Sequence, residues 1–311
     1  MKPIGPKSLP CKILVERGIL RKAGALLAPQ KGGSRRVLWM CDLPDTDPAP
    51  SVVLASLRKA GHTVVRIPDE EHYPADVDAL LIVGDVDKIG HGTCFAEDYY
   101  PGLPYVLVPT TFEAQLGFFT IDNTAGLVLC DPSLPVSEAD FRRGIVELIR
   151  YAVGFDRLLF DLLYTDFDRG ALIRRCLSIR CDLLDAGKTA LFDCLGTSFG
   201  WAVRAALHDK ASDGDEDVDE ADAIAICLAV ATRYALKTGY CRQDFLSDLV
   251  GLLTYHGLPN SALISDEELR ASFLALPWED GGKSTLSLPR RLGECGLVRV
   301  KPTDLTGLLP S

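Results

Sequence analysis

Short apolar runs alternate with helical stretches along the first 135 residues of this chain of 311 residues. The runs are rich in β-branched side chains and bounded by Gly, Pro or Asp, a pattern typical of strands buried in a parallel sheet. We predict five such strands, at residues 11–15, 36–40, 63–67, 79–83 and 105–108. Residues 51–60 carry apolar side chains at helical spacing and end before Gly61, which predicts a connecting helix. This alternation indicates right-handed βαβ crossovers, with ligand sites at the carboxyl ends of the strands.

From residue 137 onward the apolar positions follow the helical period of 3.6 residues. Ser137, with Asp140 three residues later, resembles a capping box that opens the first helix. The acidic segment 209–219 predicts a solvated loop, and residues 293–300 predict a final short strand or loop. We therefore expect an α/β Rossmann-like, nucleotide-binding-type domain at 1–135 and an all-α or mainly α-helical domain at 136–311. The predicted helices lie at 137–153, 156–163, 169–185, 190–207, 219–237 and 241–256.

Composition narrows the classes of partner. The formal net charge of −10 disfavours a general nucleic-acid binder, which needs clustered Lys and Arg. No apolar run approaches the ~20 residues of a membrane span, and the first residues lack the apolar core of a signal peptide. The ten cysteines are scattered without a CxxC pair, which is typical of buried, reduced thiols. We expect a cytoplasmic protein whose partner is a small-molecule metabolite, with no membrane partner; a homodimer is left open.

Three segments carry a family resemblance. The first is Val-Pro-Thr-Thr at 108–111, with Ala-Gln at 114–115. The second begins with Val-Leu-Cys-Asp-Pro at 128–132 and continues through a helix at 141–151 that contains Gly-Ile-Val-Glu-Leu-Ile-Arg-Tyr. The third is Gly-Thr-Ser-Phe-Gly-Trp-Ala at 196–202. In order and spacing these segments resemble dehydroquinate synthase and the related sugar phosphate cyclases, as a diverged and shortened member.

The resemblance implies a lyase that uses NAD and zinc to convert a linear sugar phosphate into a carbocycle. In that family a Glu and two His hold the zinc ion, which polarises the hydroxyl being oxidised. The Glu matches Glu147, but the two His positions fall on Thr197 and near Val218. Neither side chain replaces an imidazole ligand, so the residues disfavour a family-type zinc site and we predict no metal ligands.

The family's dinucleotide-binding positions are partly kept. Its glycine triplet reads Val-Gly-Asp at 83–85, and an added carboxylate there would repel a phosphate or bind a ribose hydroxyl. NAD therefore stays open as a cofactor. The candidate cofactor-binding residues are Asp42, Gly84, Asp85, Thr110 and Thr111.

Three residues are candidates for catalysis. Glu147 is the matched family carboxylate, and Arg150 stands where the family has Lys, which keeps the charge but changes reach and hydrogen-bond geometry. His91 is expected in a loop after a strand, where α/β sheets place function, although the pattern favours a surface loop histidine without a functional role. A solvated or salt-bridged Glu147 on an amphipathic helix is the corresponding structural alternative.

Three hypotheses of function follow. The first is a diverged member of the superfamily that has lost the zinc- and NAD-dependent reaction and acts on a small metabolite by acid–base chemistry in a specialised biosynthetic pathway. The second is a non-catalytic homologue, a pseudoenzyme, that binds a ligand or a protein partner. The third is an active 3-dehydroquinate synthase-type cyclase, a carbon–oxygen lyase, whose metal ligands come from Asp219, Glu220 or Asp222.

Overall fold

The computed structural model describes residues 2–28, 33–66, 73–117, 125–208, 219–262, 264–275, 284–301 and 307–308. The chain divides into two compact units. The first consists of Met1–Gly144 and Asp168–Gly187, and the second of Ile145–Phe167 and Lys188–Ser311.

Six parallel strands form the sheet of the first unit. They are β1 (Lys12–Val15), β2 (Arg36–Met40), β3 (Thr63–Arg66), β4 (Ala79–Gly84), β5 (Tyr105–Pro109) and β6 (Ala125–Cys130), in the order β1-β6-β5-β4-β2-β3. The first five confirm the predicted strands to within one residue at each described end; Ile67 lies outside the described residues. Every residue of β4 is buried, as expected for a central strand covered on both faces.

Twelve α-helices lie in the described part of the chain. In chain order they are α1 (Ala23–Leu27), α2 (Pro48–Lys59), α3 (Val86–Tyr99), α4 (Phe112–Gln115), α5 (Glu138–Gly154), α6 (Arg157–Leu162), α7 (Arg169–Asp185), α8 (Thr189–Asp193), α9 (Thr197–His208), α10 (Glu220–Lys237), α11 (Gln243–Tyr255) and α12 (Asp266–Ala275). None of them is long and apolar enough to cross a bilayer.

The strand order places the switch point of the sheet between β2 and β4. The chain passes from β2 to its neighbour β3 on one side, and then returns to β4 on the other side of β2. The connections after β2 and β4 therefore leave in opposite directions, and a crevice opens between the carboxyl ends of the two strands. A doubly wound sheet binds its ligands at this place.

The second unit is built around α10. Thirteen of its 18 residues are buried, and they include the unbroken run 223–232, which covers every side of the helix. A helix that is apolar all round must be enclosed by other elements, and α9, α11 and strand β7 (Ser284–Arg291) contact it. Asp219 begins the helix by accepting a hydrogen bond from the Ala221 N–H at 3.0 Å. The rest of the predicted acidic loop, 209–218, lies outside the described residues.

Two predictions for the second half need correction or extension. The single helix predicted over 190–207 is wrong: α8 and α9 form instead, because Gly196 between them adopts φ 81°, a left-handed conformation that ends a helix. The strand predicted at 293–300 is present as β8 (Glu294–Val300), paired antiparallel with β7, a partner that the sequence reading missed.

Gly144 and Gly90 provide a matched test of packing. A Cβ on Gly144, in α5, would overlap the ring of Phe112, which is 1% exposed, whereas a Cβ on Gly90, in α3, would meet nothing within 4 Å. We expect Gly144→Ala to lower the free energy of unfolding by about 1–3 kcal/mol through overpacking. Gly90→Ala should raise it by up to about 1 kcal/mol through helix propensity. Urea denaturation of both variants measures this difference, and shifts of the same sign would contradict it.

Candidate functional site

A cavity of about 220 Å³ lies at the carboxyl ends of β2, β4 and β5. We call it the Asp85 cavity. It brings together His91 and all five candidate cofactor residues, and it also contains two charged side chains that the sequence reading missed, Asp87 and Lys88. The lining consists of Asp42, Leu43, Val83, Gly84, Asp85, Asp87, Lys88, His91, Thr110 and Thr111.

His91 reaches this cavity from a helix. The predicted loop position is wrong, because α3 runs from Val86 to Tyr99 and carries His91 in its second turn. The helix can begin directly after β4 because Asp85 caps it: the Asp85 carboxylate accepts a hydrogen bond from the Lys88 N–H at 2.9 Å. The histidine side chain is exposed at the cavity.

Gly84 allows α3 to pack closely on the end of β4. A Cβ at this position would lie 2.5 Å from the Cβ of Lys88, so any larger residue would push the helix away. Close packing of a helix on a strand is one of the roles of glycine in such turns. Asp85, at the start of the helix, disfavours phosphate binding, because its carboxylate already occupies the N-terminus of α3.

Lys88 and Asp42 form an ion pair across the switch point. Their Nζ and Oδ1 atoms are 2.6 Å apart, and the Lys88 side chain is 21% exposed whereas that of Asp42 is 78% exposed. Asp42 follows β2 and Lys88 lies in the first turn of α3, so the pair connects the two diverging connections of the sheet. The signal that could have identified Lys88 is its spacing three residues after the capping Asp85.

Thr110 and Thr111 join the ends of β4 and β5 to the site. The Thr110 N–H donates to the Gly84 carbonyl at 2.8 Å, and the Thr111 hydroxyl accepts from the Ala114 N–H at 3.2 Å as the cap of α4. One hydroxyl lone pair of Thr111 is therefore used for structure. Its O–H group can still donate to a ligand.

Asp140 anchors the turn that follows Thr111. Both of its carboxylate oxygens accept from the Phe112 N–H, at 2.9 and 3.0 Å, and the residue is 5% exposed. Ser137 caps α5 as predicted, accepting from the Asp140 N–H at 3.1 Å, but the Asp140 side chain binds Phe112 instead of returning to Ser137. This half of the predicted capping box is replaced by a longer-range contact that sequence spacing does not reveal.

Glu147 and Arg150 lie in the second unit, outside the lining of the Asp85 cavity, as a buried ion pair. Arg150 Nη1 is 2.8 and 2.9 Å from the two carboxylate oxygens of Glu147, and both side chains are 1% exposed. Arg150 also donates from Nη2 to the Phe192 carbonyl at 2.9 Å, and its guanidinium lies 4.4 Å from the centre of the Phe192 ring. The carboxylate is thus neutralised by a fixed cation.

A second cavity, of about 290 Å³, adjoins the ends of β2 and β3. We call it the Trp39 cavity; its lining consists of Trp39, Met40, Cys41, Asp42, Arg66 and Lys88. Arg66 is held by Asp45, whose two oxygens are 2.7 and 2.8 Å from its Nη2 atom. Burial raises the pKa of the Cys41 thiol, so this group is neutral at physiological pH.

The described residues do not fit the zinc ion that the resemblance implies. Both Glu147 oxygens are occupied by Arg150, and a guanidinium beside a carboxylate opposes a second cation electrostatically. Within the ranges given above, no three His, Cys, Asp or Glu side chains cluster as metal ligands. The side chain of Thr197 and the whole of Val218 lie outside the description.

NAD fits the Asp85 cavity only in part. Carboxylates such as Asp42 are suitable partners for ribose hydroxyls. A pyrophosphate at the start of α3 would instead meet the carboxylates of Asp85 and Asp87, and the N-terminal N–H group of Lys88 already has an acceptor. The family-type position of the pyrophosphate is therefore not supported by these residues.

The fold and the site define a class: a doubly wound, nucleotide-binding-type α/β unit with a mainly helical second unit. No family model matches the chain. The 3-dehydroquinate synthase of Pelobacter propionicus is 27% identical over 350 residues, which cover 95% of each protein. Because 350 exceeds the 311 residues of this chain, that relative carries segments with no counterpart here.

Solved structures share the fold of this chain. The 2-epi-5-epi-valiolone synthase ValA of Streptomyces hygroscopicus subsp. jinggangensis, solved with NAD+ and Zn2+ bound, has a TM-score of 0.69 and 18% identity, covering 98% of this chain and 96% of its own. A 2-deoxy-scyllo-inosose synthase, solved with carbaglucose-6-phosphate, NAD+ and Co2+, has a TM-score of 0.70 and 15% identity, covering 97% of both chains. The chain is thus similar over nearly its whole length to a 3-dehydroquinate synthase, and it has the fold of these sugar phosphate cyclase structures.

A double-mutant cycle tests the role of the buried ion pair. Glu147→Leu and Arg150→Met should each lower the free energy of unfolding by about 3–5 kcal/mol, because each leaves one charge buried without its partner. The double variant should lose much less than the sum, since neither charge remains. Urea denaturation measures all three.

The control is Arg17→Met, which removes an exposed ion pair with Asp168 and should cost less than about 1 kcal/mol. Additive losses in the double variant would show that Glu147 and Arg150 do not depend on each other.

Proposed function

We propose that this protein is a diverged superfamily member that binds a small hydroxylated metabolite in the Asp85 cavity and acts on it by acid–base chemistry through His91. One observation carries the proposal: an imidazole, three carboxylates, an ammonium group and two threonine hydroxyls line a single cavity at the switch point of the sheet. Such a set can bind hydroxyls and can move a proton. A role in a specialised biosynthetic pathway is consistent with it.

The zinc-dependent reaction of the family has no place in this proposal. Arg150 supplies at Glu147 the positive charge that a metal ion supplies in a Lewis-acid site, but a guanidinium cannot polarise an oxygen by coordination. Oxidation of a hydroxyl at this position would also require a cofactor whose pyrophosphate Asp85 and Asp87 disfavour. We therefore assign Glu147 and Arg150 to the stability of the second unit, and proton transfer to His91.

A non-catalytic binding homologue is the second candidate. The burial of Glu147 and Arg150 favours it, because two of the three predicted catalytic side chains are 1% exposed and bind each other. Under this candidate the Asp85 cavity binds its ligand without turnover.

An assay with the linear seven-carbon sugar phosphate tests the loss of the family reaction. We expect no release of inorganic phosphate in the presence of NAD and zinc, and less than stoichiometric zinc in the purified protein. Removal of metal with a chelator should leave the thermal midpoint unchanged, because Arg150 rather than a metal ion neutralises Glu147. Stoichiometric zinc together with phosphate release would instead show that the protein is an active cyclase.

Hydrogen exchange tests the acid–base role of His91. The protein is incubated in D2O with a panel of hydroxyketones, and mass spectrometry measures deuterium incorporated next to the carbonyl. We expect His91→Gln to reduce the exchange rate by about 100-fold or more, the typical contribution of a general base. The control, His208→Gln in the second unit, should have no effect. Ligand binding without exchange for any compound in the wild-type protein would favour the non-catalytic candidate.

A further inference from the structure

An exposed apolar surface lies on the second unit, formed by α6 with the residues that follow it and by the last turn of α11. Its side chains are large, and their exposed fractions range from 39% to 60%. Contiguous apolar groups that are exposed to water mark surfaces that bind another molecule. We call this the Tyr255 surface; it consists of Leu158, Leu162, Tyr164 and Tyr255.

Contacts within the second unit hold these four side chains together. The two leucines are four residues apart on α6 and therefore share one face of the helix. The ring centres of Tyr164 and Tyr255 are 5.0 Å apart. His256 Nε2 donates to the Leu163 carbonyl at 3.0 Å, which fixes the end of α11 against the end of α6. The Tyr255 surface is thus continuous across the two helices.

Exposed carboxylates border the Tyr255 surface. Asp161 lies between the two leucines in α6, and Asp166 follows Tyr164 by two residues. Asp248, in α11, is close enough to Tyr164 that its charge adds to the effect of burial in raising the pKa of that phenol. Among the residues that the structure describes, none of these carboxylates has a cation as partner, and Arg157, the one cation of α6, pairs with none of them. The border of the apolar surface is therefore negatively charged.

Charge decides which occupant fits this surface. Two copies of the chain joined through it would bring the carboxylates of one copy against those of the other, and each copy carries a formal net charge of −10. A membrane surface rich in anionic lipid would be repelled for the same reason. A helix that carries Lys or Arg beside an apolar stripe matches both the apolar surface and its acidic border. The faces of the tyrosine rings also attract cations.

We propose that the Tyr255 surface is the docking site for a basic amphipathic helix of a partner protein. The apolar stripe of that helix packs on the two leucines of α6 and on the two tyrosine rings. Its Lys or Arg side chains pair with the carboxylates of Asp161, Asp166 and Asp248. The inference does not depend on the ligand of the Asp85 cavity, because every residue of this docking site belongs to the second unit.

Fluorescence anisotropy with a labelled Leu–Lys peptide tests the docking site. The probe has about 18 residues and carries all of its leucines on one helical face. The control peptides are a scrambled sequence of the same composition and a version with Glu in place of Lys. We expect saturable binding of the probe, about ten-fold or more tighter than that of either control peptide. Increased salt should weaken the binding of the probe.

Substitutions in the protein locate the bound probe. Leu162→Ser and Tyr255→Ser should each weaken binding by about ten-fold, the effect of removing a central apolar contact. Leu26→Ser is the matched control and should leave the affinity unchanged, because Leu26 lies in the first unit and is 40% exposed, as is Leu162. Asp161→Asn should weaken binding by about two- to five-fold, the value of an exposed ion pair. Asp98→Asn makes the same change in net charge at an exposed carboxylate of α3 and should have no effect.

Four outcomes would overturn the proposal. The first is a wild-type protein that does not bind the probe, and the second is equal losses in the docking-site variants and their controls. The third is a dimer in sedimentation velocity that Leu162→Ser dissociates, which would assign the surface to a second copy of the chain. The fourth is binding to phosphatidylserine vesicles that Leu162→Ser abolishes, which would assign the surface to a membrane.

Discussion

A buried charge needs a buried partner, and this requirement governs the second unit of the protein. Sequence resemblance matches Glu147 to the carboxylate of a family-type metal site, and the structure shows that its two oxygens are held by Arg150 within a pair that is 1% exposed. Desolvation of a lone carboxylate would be prohibitive, so whichever cation neutralises it decides the chemistry that the helix can support. Here the cation is covalently part of the same helix, three residues away.

The same principle operates at the switch point of the first unit. Asp85 satisfies the start of α3 with its own carboxylate, and Asp42 is neutralised by Lys88 at 2.6 Å. A helix N-terminus and a basic side chain are the usual partners of a bound phosphate. In this protein the N-terminus of α3 is already capped by Asp85. The basic side chains of Lys88 and Arg66 lie toward the ends of β2 and β3.

Predictions from local pattern succeeded where local physics decides the outcome. Strands β2, β4 and β5 were found because a strand buried on both faces needs a continuous apolar run, whereas β3, none of whose residues is buried, was found from its β-branched side chains. α7 was found at its predicted bounds, 169–185. The error at 190–207 arose because periodicity continues across Gly196, whereas the left-handed backbone of that residue ends the helix. His91 was assigned to a loop because the sequence pattern did not reveal that Asp85 caps α3 by accepting from the Lys88 N–H. β7 was missed because its pairing with β8 is a tertiary contact.

The sequence by itself determined the order of strands and helices, the class of fold and the set of residues that differ from the family pattern, because each of these depends on side-chain type at a known spacing. Only the tertiary structure decided which of those residues meet. Parallel strands bring Asp42, Gly84 and Thr110 to one edge although the chain separates them, and Asp140 reaches the Phe112 N–H across 28 residues. Charge pairing is likewise a matter of distance in space: the contact of Lys88 with Asp42 spans 46 residues, which no local pattern encodes.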